Sequence, residues 1–341
     1  MRMDRIFAAA FVVLVSTAII GFSTGDTGAS FTGTTTNPNQ SWNTQNVTPP
    51  ASFTSATSAI GGRIDLVWTA TASPAGGHTL TYLVYRGPVG GPYPTLVGTT
   101  AGLTLSATPG ADGTYEYVVQ TKIAQGAGFF TSGNSATKSN KSDRTAPAMS
   151  VTCNGAACSA GWYTATVAVV VSGNDGAGVG MGTATYKIDA AAPNTVAAPA
   201  AFNVSGDSAG HTVVYSGADT LANASGNSSQ TIKIDGTAPT AATGVNSASN
   251  PGNPSNVDVT WTAGTDATSG VASYTVRWVQ ANACPAATPA NYPNSAAAGN
   301  VTAYNIAPLT KNGNYCAYVV TVDNAGNQSA ASAVTGPTKA R

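Results

Sequence analysis

Gly206-Asp207-Ser208-Ala209-Gly210-His211 places a serine within G-x-S-x-G and a histidine directly after it. The pattern is that of a nucleophile elbow, in which a strained strand-to-helix turn presents a serine hydroxyl to a base. That base must approach in space from a position set by a third group. Here the run precedes a β-branched stretch, His211–Tyr215, and reads as a hairpin turn entering a strand. Ser208 is therefore not expected to act as a nucleophile. A second match, Gly21–Gly25, falls in the apolar N-terminal segment, and His78 follows Pro74-Ala75-Gly76-Gly77 as a surface loop residue. Glycoside hydrolysis needs two acids across a cleft. Glu116 is the one glutamate, sits mid-strand with outward parity, and most of the 13 aspartates lie at turns. Turn aspartates cap local backbone. No catalytic residue and no cofactor is expected.

Asp266, Asp323 and Asn324 are candidate calcium ligands, the last two within Asp323-Asn324-Ala325-Gly326-Asn327. Calcium takes roughly six to eight oxygens, and no dense D-x-D-x-D cluster supplies them, so no metal site is expected. The four cysteines, Cys153, Cys158, Cys284 and Cys316, allow three pairings. Nearness in sequence favours Cys153 with Cys158 and Cys284 with Cys316. Zinc is the competing reading, but C-x4-C plus two scattered cysteines without a nearby histidine is poor zinc spacing.

The elements that carry these residues belong to a chain of 341 residues with 14 basic and 14 acidic side chains, 8% charged in all. Average soluble proteins carry about 25%. No basic field draws nucleic acid or anionic lipid, and 42% hydrophobic residues argue against disorder. Met1-Arg2-Met3-Asp4-Arg5 precedes a mostly apolar run, Ile6–Phe22, and small residues follow to Ala29. This reads as a signal peptide over residues 1–29, or as a retained anchor, the chain touching membrane only through 6–22. The even cysteine count agrees with export.

Asp143-Arg144-Thr145-Ala146-Pro147 and Asp235-Gly236-Thr237-Ala238-Pro239 share D-x-T-A-P and lie 92 residues apart, one sandwich length. Proline lacks a ladder donor and belongs where an edge strand begins, so both motifs read as hinges into a first strand. Ile64, Leu66 and Trp68 alternate with Arg63, Asp65 and Val67, and Val257, Val259 and Trp261 with Asn256, Asp258 and Thr260. Period two with frequent turn clusters predicts all-β sandwiches.

Trp68 is followed by Tyr82-Leu83-Val84-Tyr85 and then Tyr115-Glu116-Tyr117-Val118-Val119. Trp261 is followed by Tyr274-Thr275-Val276-Arg277-Trp278 and then Tyr315-Cys316-Ala317-Tyr318-Val319. Both segments resemble fibronectin type III domains. The resemblance implies core residues Trp68, Tyr82, Trp261 and Tyr274, with Tyr115 and Tyr315 as corner tyrosines. It puts Cys284 just past the third strand and Cys316 on the sixth with parity opposite to Tyr315, a surface staple on the outer face.

The middle segment carries Gly161-Trp162-Tyr163-Thr164, Asn174-Asp175-Gly176-Ala177-Gly178-Val179, Tyr186-Lys187-Ile188-Asp189, His211-Thr212-Val213-Val214-Tyr215 with Asp219, and Ile232-Lys233-Ile234-Asp235. It resembles a bacterial Ig-like domain of the type found in leptospiral outer-membrane proteins, with Ala177 where that family's D-x-x-S-G-V has Ser. Trp162 and Tyr215 are the core residues this implies. Ser30-Phe31-Thr32-Gly33-Thr34-Thr35-Thr36-Asn37-Pro38-Asn39-Gln40-Ser41-Trp42 resembles the mature start of camelysin- and TasA-type fibre subunits, which implies a free pairing strand; a polar tether is the plainer reading.

The expected organisation is a signal over 1–29, a tether over 30–48, a fibronectin-like domain over 49–142, an Ig-like domain over 143–236 and a fibronectin-like domain over 237–341. The expected role is non-enzymatic and extracellular: adhesion, spacer or matrix, with protein or polysaccharide partners at a cell surface, self-association through the N-terminal strand, and no nucleic acid. The alternative is a carbohydrate-binding accessory protein, for which Tyr85, Tyr93, Phe129, Phe130, Trp278 and Tyr292 supply aromatic candidates.

Overall fold

The computed structural model describes residues 47–72, 79–125 and 128–341. The expected signal, the tether up to residue 46, the Gly21–Gly25 match and His78 lie outside the described residues. The chain divides into two compact units. One holds the chain up to Pro147 with the loops Asn174–Gly182 and Ala218–Ala224; the other holds Ala148–Gly173, Thr183–Gly217 and Ser225–Arg341. No helix among the described residues is long and apolar enough to cross a membrane.

Six sheets pair into three sandwiches, as the period-two pattern predicts. In the first, Phe53–Ala59, Arg63–Trp68 and Thr104–Ala107 form a three-stranded sheet. It faces a sheet ordered Thr95–Thr100, Leu80–Gly87, Gly113–Gln125. The last of these is long enough to take two partners, Lys138–Ser142 on its first half and Gly128–Thr131 on its second. Inward residues Ile64, Leu66, Trp68, Tyr82, Val84, Tyr117 and Val119 make the core. Trp68 packs edge-on to Tyr82, ring centroids 5.6 Å apart.

The third sandwich repeats this plan. Thr243–Ser249, Val257–Thr262 and Ala303–Ile306 form one sheet; Asn294–Ala297, Val271–Gln280, Asn314–Asp323 and Thr335–Lys339 form the other. Trp261 meets Tyr274 at 5.3 Å over a core of Val257, Val259, Val276, Ala317 and Val319.

The middle sandwich joins Ala156–Ala157, Ala148–Cys153, Val167–Asn174 and Ala200–Val204 in one sheet. The other is ordered Trp162–Tyr163, Ser228–Ile234, Ser208–Asp219, Met181–Ile188, Asn194–Ala197. Its core is Val167, Val169, Val171, Val213, Tyr215, Ile232 and Ile234. The Cys153–Cys158 disulfide spans a hairpin whose two turn residues, Asn154 and Gly155, have φ of 50° and 79°. Asn-Gly supplies the positive φ at both positions that a tight hairpin requires.

Trp162 is not a core residue: it sits half-buried on a two-residue edge strand, under the Lys233 ammonium at 5.9 Å. Its neighbour Tyr163 packs on the core instead. Tyr115 shares the inward parity of fully buried Tyr117 and packs against the core while partly buried, with the Arg86 guanidinium over its ring. The Cys284–Cys316 disulfide leaves the inner face but is no surface staple. The connection after Gln280 covers it, and Tyr292, Cys316, Tyr318 and Val320 form a second buried cluster with Cys284 at its edge. Tyr292 is thereby fully buried, and Trp278 lies against the inner core. Closing 32 residues, that disulfide is worth about 3–4 kcal/mol in the chain-entropy model.

One closure recurs in all three sandwiches. Thr121 N–H donates to Ser132 Oγ, Gly217 N–H to Ser225 Oγ and Thr321 N–H to Ser329 Oγ, each 2.9–3.0 Å. Each serine N–H returns a bond to the carbonyl opposite. In the outer two sandwiches a second serine three residues on, Ser135 or Ser332, does the same for Val119 or Val319. Ser329→Ala leaves a buried N–H without an acceptor, which costs about 1–3 kcal/mol. Equilibrium denaturation should show that loss for Ser329→Ala, while exposed Ser295→Ala stays within about 0.5 kcal/mol of wild type.

Candidate functional site

Both D-x-T-A-P segments form straps bonded to a loop carboxylate. Arg144 N–H donates to Asp112 Oδ1 at 2.7 Å, and Gly236 N–H to Asp207 Oδ1 at 2.8 Å. The motif threonines, Thr145 and Thr237, place their hydroxyls on the other oxygens of the same two carboxylates. The Thr145 hydroxyl first, and the Arg144 amide after it, hold Asp112 below the usual carboxylate range. The Gly236 amide and then the Thr237 hydroxyl do the same for Asp207.

The motif aspartates turn the other way. Asp143 is fully buried and accepts from Thr145 N–H at 3.2 Å and Val179 N–H at 2.7 Å. Asp235 is fully buried and accepts from Thr237 N–H at 3.1 Å and Ser269 N–H at 3.0 Å. Each is joined by two further carboxylates. Asp143, Asp175 and Asp219 bring one oxygen apiece within 4.8 Å of one another, and so do Asp235, Asp266 and Asp323.

Main-chain amides fix these partners as well. Asp175 Oδ2 accepts from Gly180 N–H at 2.6 Å, and Asp266 Oδ1 from Gly270 N–H at 2.7 Å. Asp219 and Asp323 are each held by an asparagine four residues on. Asn223 N–H and Nδ2 donate to the two Asp219 oxygens at 2.9 and 2.6 Å; Asn327 does so to Asp323 at 2.8 Å for both. The same Nδ2 groups reach back to the carbonyls of Asp143 and Asp235. Burial, with the adjoining carboxylates of Asp175 and Asp219, keeps the Asp143 carboxyl above its ordinary range. Lys141 Nζ donates to the Gly178 carbonyl beside the first triad.

Two groups of three carboxylates thus assemble from separate loops rather than from one dense run. Of the sequence candidates, Asp266 and Asp323 join a triad. Asn324 does not; its Nδ2 donates to the carbonyls of Ser269 and Gly270. Asp143, Asp175, Asp219 and Asp235 are not among those candidates; their signal in the sequence is D-x-T-A-P and the repeated D-x-x-x-N of 219–223 and 323–327. The D-x-x-S-G-V pattern, incomplete at Asp175, stands complete at Asp266-Ala267-Thr268-Ser269-Gly270-Val271. In the first triad the loop is one residue longer, and the amide role of Ser269 falls to Val179 rather than to Ala177.

Ser208 Oγ accepts from Gly210 N–H, as a hairpin-turn serine does. His211 Nδ1 meets Asp189 Oδ2 at 2.8 Å and Nε2 meets the Gly206 carbonyl at 3.0 Å, so neither ring nitrogen faces Ser208. Glu116 Oε2 accepts from Tyr93 Oη and Gly90 N–H, both 2.7 Å. Phe129 and Phe130 are exposed, with the Lys122 ammonium 4.3 Å from the Phe129 ring centre. The corner hydroxyls are both engaged: Tyr115 donates to the Ala111 carbonyl, and Tyr315 accepts from Thr310 N–H.

Residues 237–337 match the fibronectin type III domain family. No curated protein matches the chain. Among solved structures, the FN1–FN3 domains of chicken CNTN1 are similar at 14% identity and TM-score 0.37, over 85% of this chain and 97% of that one. A three-domain segment of titin is similar at 12% identity and TM-score 0.40, over 87% of this chain and 98% of that one.

The His211 pair carries a pH signature. Burial opposes the charged imidazole, but Asp189 and the Gly206 carbonyl outweigh it and raise the pKa of His211. Its contribution is present below the unfolded value of about 6.5 and is lost as pH rises through the higher folded value. Asp189 is lowered by His211 and by Thr212 N–H, so its contribution is lost as pH falls through its folded value. Melting curves of wild type and Asp189→Asn should differ most between about pH 4.5 and 6.5 and converge toward pH 9. A gap that does not narrow above neutrality would contradict the pairing.

Proposed function

We propose that this modular β-sandwich protein is exported and works outside the cytoplasm, without catalysis, as an adhesion, spacer or matrix component. The observation that carries the reading is the serial sandwich plan, with the same serine closure in each and a disulfide in two of them. Disulfides persist in oxidising compartments. The fibronectin type III match over 237–337 supports a modular role. We take domain boundaries at residues 49, 143 and 237, the last two within or beside the D-x-T-A-P straps, and keep the bacterial Ig-like assignment for the middle sandwich.

Intact-mass measurement on separated membrane, sheared-surface and culture-medium fractions tests the reading. The expected species is disulfide-bonded and begins at Ser30. An uncleaved chain in the membrane fraction would make Ile6–Phe22 an anchor, and a reduced chain confined to the cytoplasm would overturn export. If residues 30–42 form a pairing strand, their deletion abolishes self-association while the sandwiches stay folded; unchanged assembly leaves them a tether.

The glycan-binding alternative is favoured only by the exposed pair Phe129 and Phe130. Trp278 and Tyr292 pack internally and no longer serve it. Retention on a polysaccharide column that is lost with Phe129→Ala and Phe130→Ala would support it, and no retention on any polysaccharide would remove it.

A further inference from the structure

Two buried oxygens beside the acidic triads have no hydrogen-bond partner. Asp175 Oδ1 is fully buried and accepts from no donor. Ser269 Oγ is fully buried and unpartnered, on the residue whose N–H donates to both Asp235 and Asp266. Buried polar atoms are normally satisfied, and buried charges are paired or bind metal. The ion pairs among the described residues, Arg63–Asp65 and His211–Asp189, involve none of the six triad carboxylates. The Asp175 and Asp143 side chains converge beside Gly178, where an added Cβ would lie 2.2 Å from Asp175 Oδ2 and 2.6 Å from Asp143 Oδ2.

We propose that each triad binds one calcium-type divalent cation, the first through Asp143, Asp175 and Asp219 and the second through Asp235, Asp266 and Asp323. Calcium–oxygen bonds of 2.3–2.6 Å place the ligands of one ion up to about 5 Å apart, which the 4.8 Å limit satisfies. Three carboxylates supply three to six oxygens according to denticity, and water completes the shell. The carboxylates need little ordering on binding, because main-chain amides and two asparagines already hold them. Asp175 Oδ1 gains the partner it lacks.

The first sandwich supplies an internal comparison. Ile123 and Phe130 pair at the step beyond its serine closure, where the other two sandwiches put Asp219 with Asn223 and Asp323 with Asn327. The first sandwich shows no such triad among the described residues. The two triads thus occur with the two D-x-T-A-P straps, and a bound ion ties each strap aspartate to two further loops. This inference stands independently of the export reading.

The two sites differ. Lys141 places an ammonium on the Gly178 carbonyl beside the first triad, whereas the corresponding Lys233 lies over Trp162. The second site is therefore the tighter.

Calorimetric titration of the chelator-treated full chain with calcium chloride tests the proposal. Two ions per chain are expected, half-saturating near 10⁻⁴–10⁻³ M, roughly the range of extracellular modules, with a rise in melting temperature. Asp175→Asn should remove the first ion and Asp266→Asn the second, each leaving the other. Both positions are partly exposed and Asn keeps an oxygen for the loop amides, so the variants should melt cooperatively without calcium. Lys141→Met, which removes no ligand, should tighten the first site several-fold. No calcium binding by the stripped wild type, or two ions retained in both Asn variants, would overturn the proposal. Equal affinity for magnesium would overturn the choice of calcium.

Discussion

Every main-chain N–H that leaves a β-ladder inside a protein needs an acceptor, and this chain meets the need with short oxygen-bearing side chains. Serines cap the strands Gly113–Gln125, Ser208–Asp219 and Asn314–Asp323 where the next strand has not yet paired. Aspartates collect the amides at loop tips and straps. Among the described residues the connections are closed by backbone-to-side-chain bonds, with ion pairs only at Arg63–Asp65 and His211–Asp189. The acidic triads arise from the same habit. Each carboxylate is placed to receive amides, and three such placements converge twice.

The fold was legible because its signal is local. Ile64, Leu66 and Trp68, or Val257, Val259 and Trp261, state their buried face by alternation, and the Trp–Tyr contacts follow from it. What the alternation could not convey is what covers the other face. Cys316 has outward parity, yet outward there means beneath Tyr292 and the connection after Gln280, a contact set by a loop with no period. Trp162 failed as a core residue for the opposite reason. The W-Y pair straddles a two-residue edge strand, and only one of two neighbours can face inward.

The triads were less legible than the fold, although their parts are repeated in plain sight. Their acids are separated by tens of residues, and each triad draws one acid from each of three segments. The two loops also differ in length by one residue between Asp175–Gly180 and Asp266–Gly270, which hides the equivalence of Val179 and Ser269 in any linear comparison. A main-chain amide can be supplied by any residue but proline, so the site tolerates a change from Ser to Val that a motif search rejects.

The strap also reshapes the sandwich it enters. In the first sandwich Thr71 Oγ1 meets Thr121 Oγ1 at 2.7 Å, a buried pair satisfying both hydroxyls. In the third, the position three residues after the core tryptophan is Gly264, because a Cβ there would lie 2.2 Å from the Thr240 carbonyl just past the strap. Thr321, the counterpart of Thr121, is left with its Oγ1 unpartnered. An unmet buried hydroxyl costs on the order of 1–3 kcal/mol, so the close passage of the strap is held at the expense of a bond the first sandwich keeps. The compensating contacts are those of the motif itself: Asp235 on its amides, Thr237 on Asp207, and Asn327 across to the Asp235 carbonyl. The polar spacing D-x-T therefore carries as much of the architecture as the proline that follows it.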